Sequence, residues 1–279
     1  MRWLSFCKDG YHSFGYLLPE DGVVDVGSRT SYPDLRAAIA DNGLDSFRGA
    51  SIEPDFYLDQ ISYLPPITNP EKILCVGLNY KAHQEETGRG GEAFPTIFTR
   101  FASAQVAHME PMICPIESPT LDFEGEIALV IGQKARRVKG ADALDSIAGF
   151  SIYNDGSVRE YQRHTSQFTA GKNFIGTGAF GPWFVTPDEV PDLSSFEITT
   201  RLNGQVMQNA TSDLMIFSFG EIIEYCSTFV ELSPGDIIVT GTPGGVGVAR
   251  TPPIFMKAGD LIEVQIDPIG VLKNVIAEG

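Results

Sequence analysis

Asp122-Phe123-Glu124-Gly125-Glu126-Ile127-Ala128-Leu129-Val130-Ile131 is the stretch on which both the fold and the chemistry of this chain turn. Its second half is an apolar, strand-like run. Its first half carries Glu124 and Glu126 two residues apart, and strand alternation sets both on one face. Like charges side by side on a sheet face repel, so a sheet built for stability alone avoids them. A divalent cation removes that penalty, because hard cations prefer carboxylate oxygens. Taken alone, the pair fits a solvent-facing strand edge equally well. A third acid follows in Ile152-Tyr153-Asn154-Asp155-Gly156, which by itself reads as a turn, and then the lone Lys172.

Composition narrows the classes. The 279 residues suffice for one large core, or a main domain with a small companion. With 36 acidic and 20 basic residues the net charge is −16, which argues against nucleic acid or an anionic membrane as partner. Cys7, Cys75, Cys114 and Cys226 form no C-x-x-C pair and read as reduced thiols of a cytoplasmic protein. The start of the chain meets Lys8 and Asp9 too soon for a signal-peptide core, and no run reaches the ~18 apolar residues of a spanning helix.

Outward from the opening stretch, strands and turns dominate. Trp3–Cys7 and His12–Leu18 flank the hairpin signal Lys8-Asp9-Gly10, and Ile198–Leu202 and Gln205–Gln208 flank Asn203-Gly204, the strongest such signal in the chain. Lys72–Gly77 reads as a buried strand, and Ile237–Thr240 and Leu261–Ile266 as further strands. A short helix is expected from about Pro33 to Ala40. Ser157-x-x-Glu160 and Ser218-x-x-Glu221 are capping-box patterns announcing two more. The proline-rich Tyr63–Pro70 is the best boundary, dividing a small N-terminal domain (1–68) from a main domain (69–279). The fold class is α+β, β-rich and mixed, without the strand–helix alternation of a doubly wound sheet.

Two further segments carry chemistry. In Asn79-Tyr80-Lys81-Ala82-His83-Gln84-Glu85-Glu86-Thr87-Gly88, Asn79 can cap a short helix and Gly88 can end it. His83 and Glu86 then share one face, and the carboxylate raises the basicity of the imidazole. Such a pair is most often a solvated surface feature. Here it precedes Arg89-Gly90-Gly91-Glu92, so helix and tail together read as a lid. Thr240-Gly241-Thr242-Pro243-Gly244-Gly245-Val246-Gly247 lacks the lysine of a P-loop, and fits close packing against a ligand or neighbouring strand, with Thr242 offering a hydroxyl.

Taken in order, Asn79-Tyr80…His83…Glu86, Asp122-x-Glu124-Gly125-Glu126, Asn154-Asp155…Arg159…Gln162, Gly171-Lys172 and Thr240-Gly241-Thr242-Pro243-x-Gly245-Val246-Gly247 resemble the fumarylacetoacetate hydrolase family. The resemblance implies a mixed β-roll core, Mg²⁺ or Mn²⁺ (Ca²⁺ as a third candidate) on Glu124, Glu126 and Asp155, a water-activating dyad of His83 and Glu86, Lys172 as electrophilic partner, and a homodimer. It also implies a small-molecule 2-oxo acid substrate. Arg159 and Gln162, one helical turn apart, could orient that substrate, and Arg89 on the flap could select a second anionic group. One departure stands out: many relatives continue the lysine motif as Lys-Ser-Phe-Asp, whereas this chain has Lys172-Asn173-Phe174-Ile175.

The resulting expectation is a metal-dependent hydrolase that cleaves a C–C bond in an acylpyruvate-type acid through a metal-bound enolate, as in aromatic catabolism. Decarboxylation of an oxaloacetate-type acid, and isomerisation or hydration, are the alternatives on the same site. A protein that binds 2-oxo acids without turnover is the rival from another class. It has no use for a general base.

Overall fold

The computed structural model describes residues 1–47, 53–91, 93–190 and 192–279. Strand Gly125–Ile131 lies at its centre, antiparallel to Ile147–Asn154 on one side and to Ile237–Val239 on the other. Because alternate residues face opposite ways, Ile127, Leu129 and Ile131 enter one hydrophobic cluster and Ala128 and Val130 another. Both faces of this strand are therefore covered, which accounts for its unbroken apolar run.

Among the described residues the parent sheet has 12 strands. From Ile147–Asn154 it continues through Gly178–Val185 to the N-terminal strands Arg2–Lys8, Tyr11–Leu17 and Gly22–Asp25; from Ile237–Val239 it continues through Ile73–Gly77 to Thr96–Arg100. The 1–68 segment thus joins the main sheet edge to edge, Arg2 and Trp3 pairing with Val185 and Phe184. A second sheet of five strands contains Glu197–Leu202, Leu261–Asp267 and Gly270–Glu278. It packs Ile198, Ile262, Val264 and Ile266 against the Ile127 side. Parallel pairs, such as Ile237–Val239 with Ile73–Gly77, interrupt otherwise antiparallel ladders, so the fold is mixed and β-rich as expected.

The hairpin at Asn203-Gly204 forms with both residues at positive φ. Helix Phe219–Phe229 starts at Ser218 with a complete capping box and buries Phe219, Ile222, Ile223 and Cys226 along one face. Leu35–Ala40 is helical, capped by Asp34. The other capping-box pattern does not form. Ser157–Val158 is an extended pair bonded to Leu121–Asp122, the Ser157 hydroxyl donates to the Asp155 carbonyl, and Glu160 accepts from Ser118. Strand pairing there claims Ser157, and the announced helix forms as the short Arg159–Gln162, without a side-chain cap. Among the described residues, no helix is long and apolar enough to cross a membrane.

Candidate active site

Glu124, Glu126 and Asp155 converge where Gly125–Ile131 and Ile147–Asn154 begin and end, with Gly125 paired to Asn154. One carboxylate oxygen from each lies within 4.8 Å of the other two, and all three residues are buried. The Lys172 ammonium donates to Glu124 at 2.7 Å and to Asp155 at 2.5 Å, and sits 4.9 Å from the centre of the Phe98 ring. Lys172 ends the short helix Thr169–Lys172, which packs on the helix Arg159–Gln162. Gly171 permits that packing, because a Cβ there would fall 2.3 Å from the Gln162 backbone nitrogen.

Four buried acids, Asp122, Glu124, Glu126 and Asp155, face three buried cations, Arg100, Arg159 and Lys172. Burial alone would push Glu124 up, but Lys172 and Arg159 outweigh it and hold this carboxyl well below its ordinary range. Glu126 goes the other way: burial, then Asp155 and Glu124, raise it well above that range. Its side chain accepts one N–H, from Gly241 at 2.5 Å, and pairs with no cation among the described residues. Burial lowers Lys172, yet Asp155 and Glu124 more than compensate, so the amine stays an ammonium. A buried carboxylate cluster with one member lacking a counter-charge is a donor set that fits a hard divalent cation.

On the helix Lys81–Thr87, the His83 Nδ1 lies 2.7 Å from one oxygen of Glu86, whose other oxygen accepts the Gly245 N–H at 2.7 Å. Gly88 ends this helix in the left-handed region, as read from the sequence. Asn79 does not cap it. Its amide instead bonds the Phe217 N–H and the carbonyls of Phe217 and Thr240, tying the start of this segment to the core.

The glycine-rich loop 240–247 is an anion-binding turn that the protein's own acids occupy. Gly241 serves Glu126 and Gly245 serves Glu86, while Gly247 and Val248 serve Asp122. The Thr242 hydroxyl is engaged by Gln208 and donates to the Gly125 carbonyl.

One cleft gathers His83, Glu124, Glu126, Arg159, Gln162, Lys172, Thr242 and Arg89. Glu86 stands behind His83, and Asp155 behind Lys172. Arg159 donates to Asp122, Glu124 and Gln162, leaving Nη2 buried and without a partner. Arg89 and Arg163 are exposed at the rim, and neither side chain has a polar partner among the described residues. Glu92, read as part of the flap, lies outside the described residues. Asn173, at the departure in the lysine motif, bonds the Phe101 N–H and the carbonyls of Thr99 and Thr169. Sequence reasoning missed Arg100, Arg163, Gln208 and the anchoring role of Asp122.

A mixed β fold here brings together a buried carboxylate cluster, a lysine bonded to it and a histidine–glutamate pair on a short helix. Residues 72–277 match the profile described as fumarylacetoacetate (FAA) hydrolase C-terminal, and the chain belongs to the fumarylacetoacetate hydrolase family. It is 42% identical over 219 residues to a mitochondrial oxaloacetate tautomerase of Bos taurus, spanning 78% of this chain and 70% of that one. The solved fumarylacetoacetate hydrolase from psychrophilic Exiguobacterium antarcticum superposes with a TM-score of 0.86 at 32% identity, over 100% of both chains. A 2-hydroxyhepta-2,4-diene-1,7-dioate isomerase from Mycobacterium marinum gives 0.78 at 31% identity, over 100% of this chain and 98% of that one.

Proposed function

We propose that the chain is a divalent-metal-dependent enzyme that interconverts the keto and enol forms of an oxaloacetate-type 2-oxo dicarboxylate. The observation that carries this reading is the His83–Glu86 pair set over the same cleft as the acid cluster and Lys172. The name of the bovine relative supports the choice of substrate. When held by Glu124, Glu126 and Asp155, a divalent cation such as Mg²⁺ or Mn²⁺ supplies a Lewis acid for the substrate's carbonyl and carboxylate oxygens.

The chain's own groups handle the proton. His83 donates its Nδ1 proton to Glu86, which leaves Nε2 free to accept a proton from C3 of the keto acid. The C–H electron pair becomes the C2=C3 bond, and the carbonyl pair collects on the C2 oxygen. Lys172 has N–H bonds to Glu124 and Asp155 and keeps its third for that oxygen. Return of the proton from His83 to the oxygen gives the enol, and the reverse path regenerates the keto acid. The unpartnered Nη2 of Arg159 meets a substrate carboxylate, with Gln162 holding the guanidinium and Thr242 shaping the wall.

Hydrolysis of an acylpyruvate-type acid is the second reading, because the same dyad can take a proton from water, and the full-length match to a solved hydrolase favours it. Assays of oxaloacetate and of acylpyruvates with Mg²⁺, Mn²⁺ or EDTA decide between them. Enol–keto interconversion without C–C cleavage supports the first reading, while pyruvate release from an acylpyruvate replaces it with the second. His83→Ala should lower either activity by about 10²–10⁴-fold. An unchanged rate would remove the dyad from the mechanism. The four cysteines are free thiols, in keeping with a reducing compartment, whether the cytoplasm of the sequence reading or the mitochondrion of the relative. A homodimer is proposed from the resemblance, and sedimentation would test it.

A further inference from the structure

Arg100 ends the strand Thr96–Arg100 with its guanidinium fully buried behind the acid cluster, outside the cleft. Nη1 donates to Asp155 Oδ1 at 2.5 Å and to the Gly156 carbonyl at 2.9 Å, and Nη2 donates to the Thr177 hydroxyl at 3.1 Å. Nε is buried without a partner. The surrounding chain makes room for this group: a Cβ on Gly178 would lie 2.7 Å from Nη2.

A buried guanidinium with an unsatisfied N–H is an expensive element if stability is its purpose, since well-packed apolar residues usually do as well or better. Its contacts point to another use. Asp155 is held from two sides, with Arg100 on Oδ1 and Lys172 on Oδ2. Lys172 lines the cleft and is the partner that substrate can draw on, whereas Arg100 does not line it. The planar fork also grips the Gly156 carbonyl, so it fixes the Asp155 carboxylate relative to its own backbone.

We infer that Arg100 is a positioning residue for the metal centre, acting through Asp155. By clamping one oxygen and the following carbonyl, it holds the carboxylate plane so that the remaining lone pairs face Glu124 and Glu126. This rests on the metal reading of the cluster, which was drawn from the donor set and not from Arg100.

Titration with Mn²⁺ alone, by calorimetry and by electron paramagnetic resonance, tests both ideas without substrate. Wild type should bind one Mn²⁺. Arg100→Met, which keeps the bulk and removes fork and charge, should weaken that binding by about 10–100-fold, the usual effect of losing a group that orients a ligand. Arg100→Lys, which restores the charge and a donor to Asp155, should recover most of the affinity. Near-ultraviolet circular dichroism confirms folding, and Arg100→Gln replaces the methionine variant if that chain does not fold. A folded Met or Gln variant that binds Mn²⁺ as tightly as wild type would overturn the role of Arg100. Failure of wild type to bind Mn²⁺ would overturn the metal site, and this inference with it.

Discussion

The two ends of the run Asp122–Glu126 are four residues apart and equally buried, yet they are treated in opposite ways. The Asp122 carboxylate accepts from the backbone of Phe123, Gly247 and Val248 and from the Arg159 guanidinium. Glu126 accepts one N–H. A buried carboxylate whose lone pairs are filled from within is part of the framework. One left with open lone pairs and no counter-charge in a cleft is waiting for a ligand. Burial alone does not separate the two cases. The count of internal partners does.

This contrast can be broken or sharpened by substitution. The largest effect is expected at the open end. Glu126→Gln keeps the shape and removes the charge, so Mn²⁺ affinity should fall by at least on the order of 100-fold, more than for loss of an orienting group. The metal-free protein should meanwhile melt at a higher temperature than wild type, because one of three crowded acids is gone. A lower metal-free melting temperature would show that Glu126 is a framework acid after all. At the filled end the sign reverses. Asp122→Asn takes one of two carboxylates from the buried Arg159 and weakens the acceptor for the Gly247 and Val248 N–H groups, so it should destabilise the fold by about 3–5 kcal/mol, a fall in melting temperature on the order of 10 °C. A loss below about 1 kcal/mol would erase the distinction drawn above.

The same comparison applies to the arginines. Arg159 is engaged on three sides, while Arg89 and Arg163 at the rim have no polar partner among the described residues. Free rim cations suit a second carboxylate at the far end of the substrate. Arg89→Ala and Arg163→Ala should each raise KM for a 2-oxo dicarboxylate by about 2–5-fold with kcat unchanged, an effect that salt weakens. A monocarboxylic analogue should show no change, and equal shifts for both substrates would remove the rim from specificity.

The smallest effect belongs to a histidine far from the cleft. His108 Nδ1 accepts the Lys273 N–H at 3.1 Å, and burial, with a smaller push from Lys273, lowers its imidazole from 6.5 to about 4. The unfolded chain therefore takes up this proton first as pH falls. Stability from His108 is intact above about pH 6.5 and is lost progressively as pH drops towards 4. His108→Gln, which retains an acceptor, should flatten the decline of melting temperature over that window. Parallel curves for variant and wild type would show that Nδ1 is already protonated in the fold.

What the sequence disclosed was local in origin. The alternation of Glu124 and Glu126, the one-turn spacing of His83 and Glu86, Asn203-Gly204 and the Ser218–Glu221 box are each fixed by neighbours within a few residues, and each takes its expected form. Asp155 and Lys172 join them in the sequence only as the next acid and a lone lysine, and the family resemblance supplies their roles. The misreadings share a cause as well. Ser157-x-x-Glu160 had the letters of a cap, but pairing with Leu121–Asp122 claimed its backbone. Asn79 had the right type for a cap, but Phe217 and Thr240, far along the chain, claimed its amide. Arg100 was invisible for a similar reason: a lone arginine ending Thr-Ile-Phe-Thr-Arg gives no sign that strand order will set it behind Asp155.

The glycine-rich loop has a mechanical consequence. Its amides hold Glu126 of the central strand, Glu86 of the helix Lys81–Thr87 and Asp122, the anchor of Arg159. These three acids come from separate parts of the chain and share one short piece of backbone as their common datum. Lateral movement of that backbone would throw the proposed metal ligand, the partner of the proposed base and the anchor of the proposed substrate clamp out of alignment together. The loop works as the jig on which the site is assembled, and its tolerance sets the tolerance of the whole.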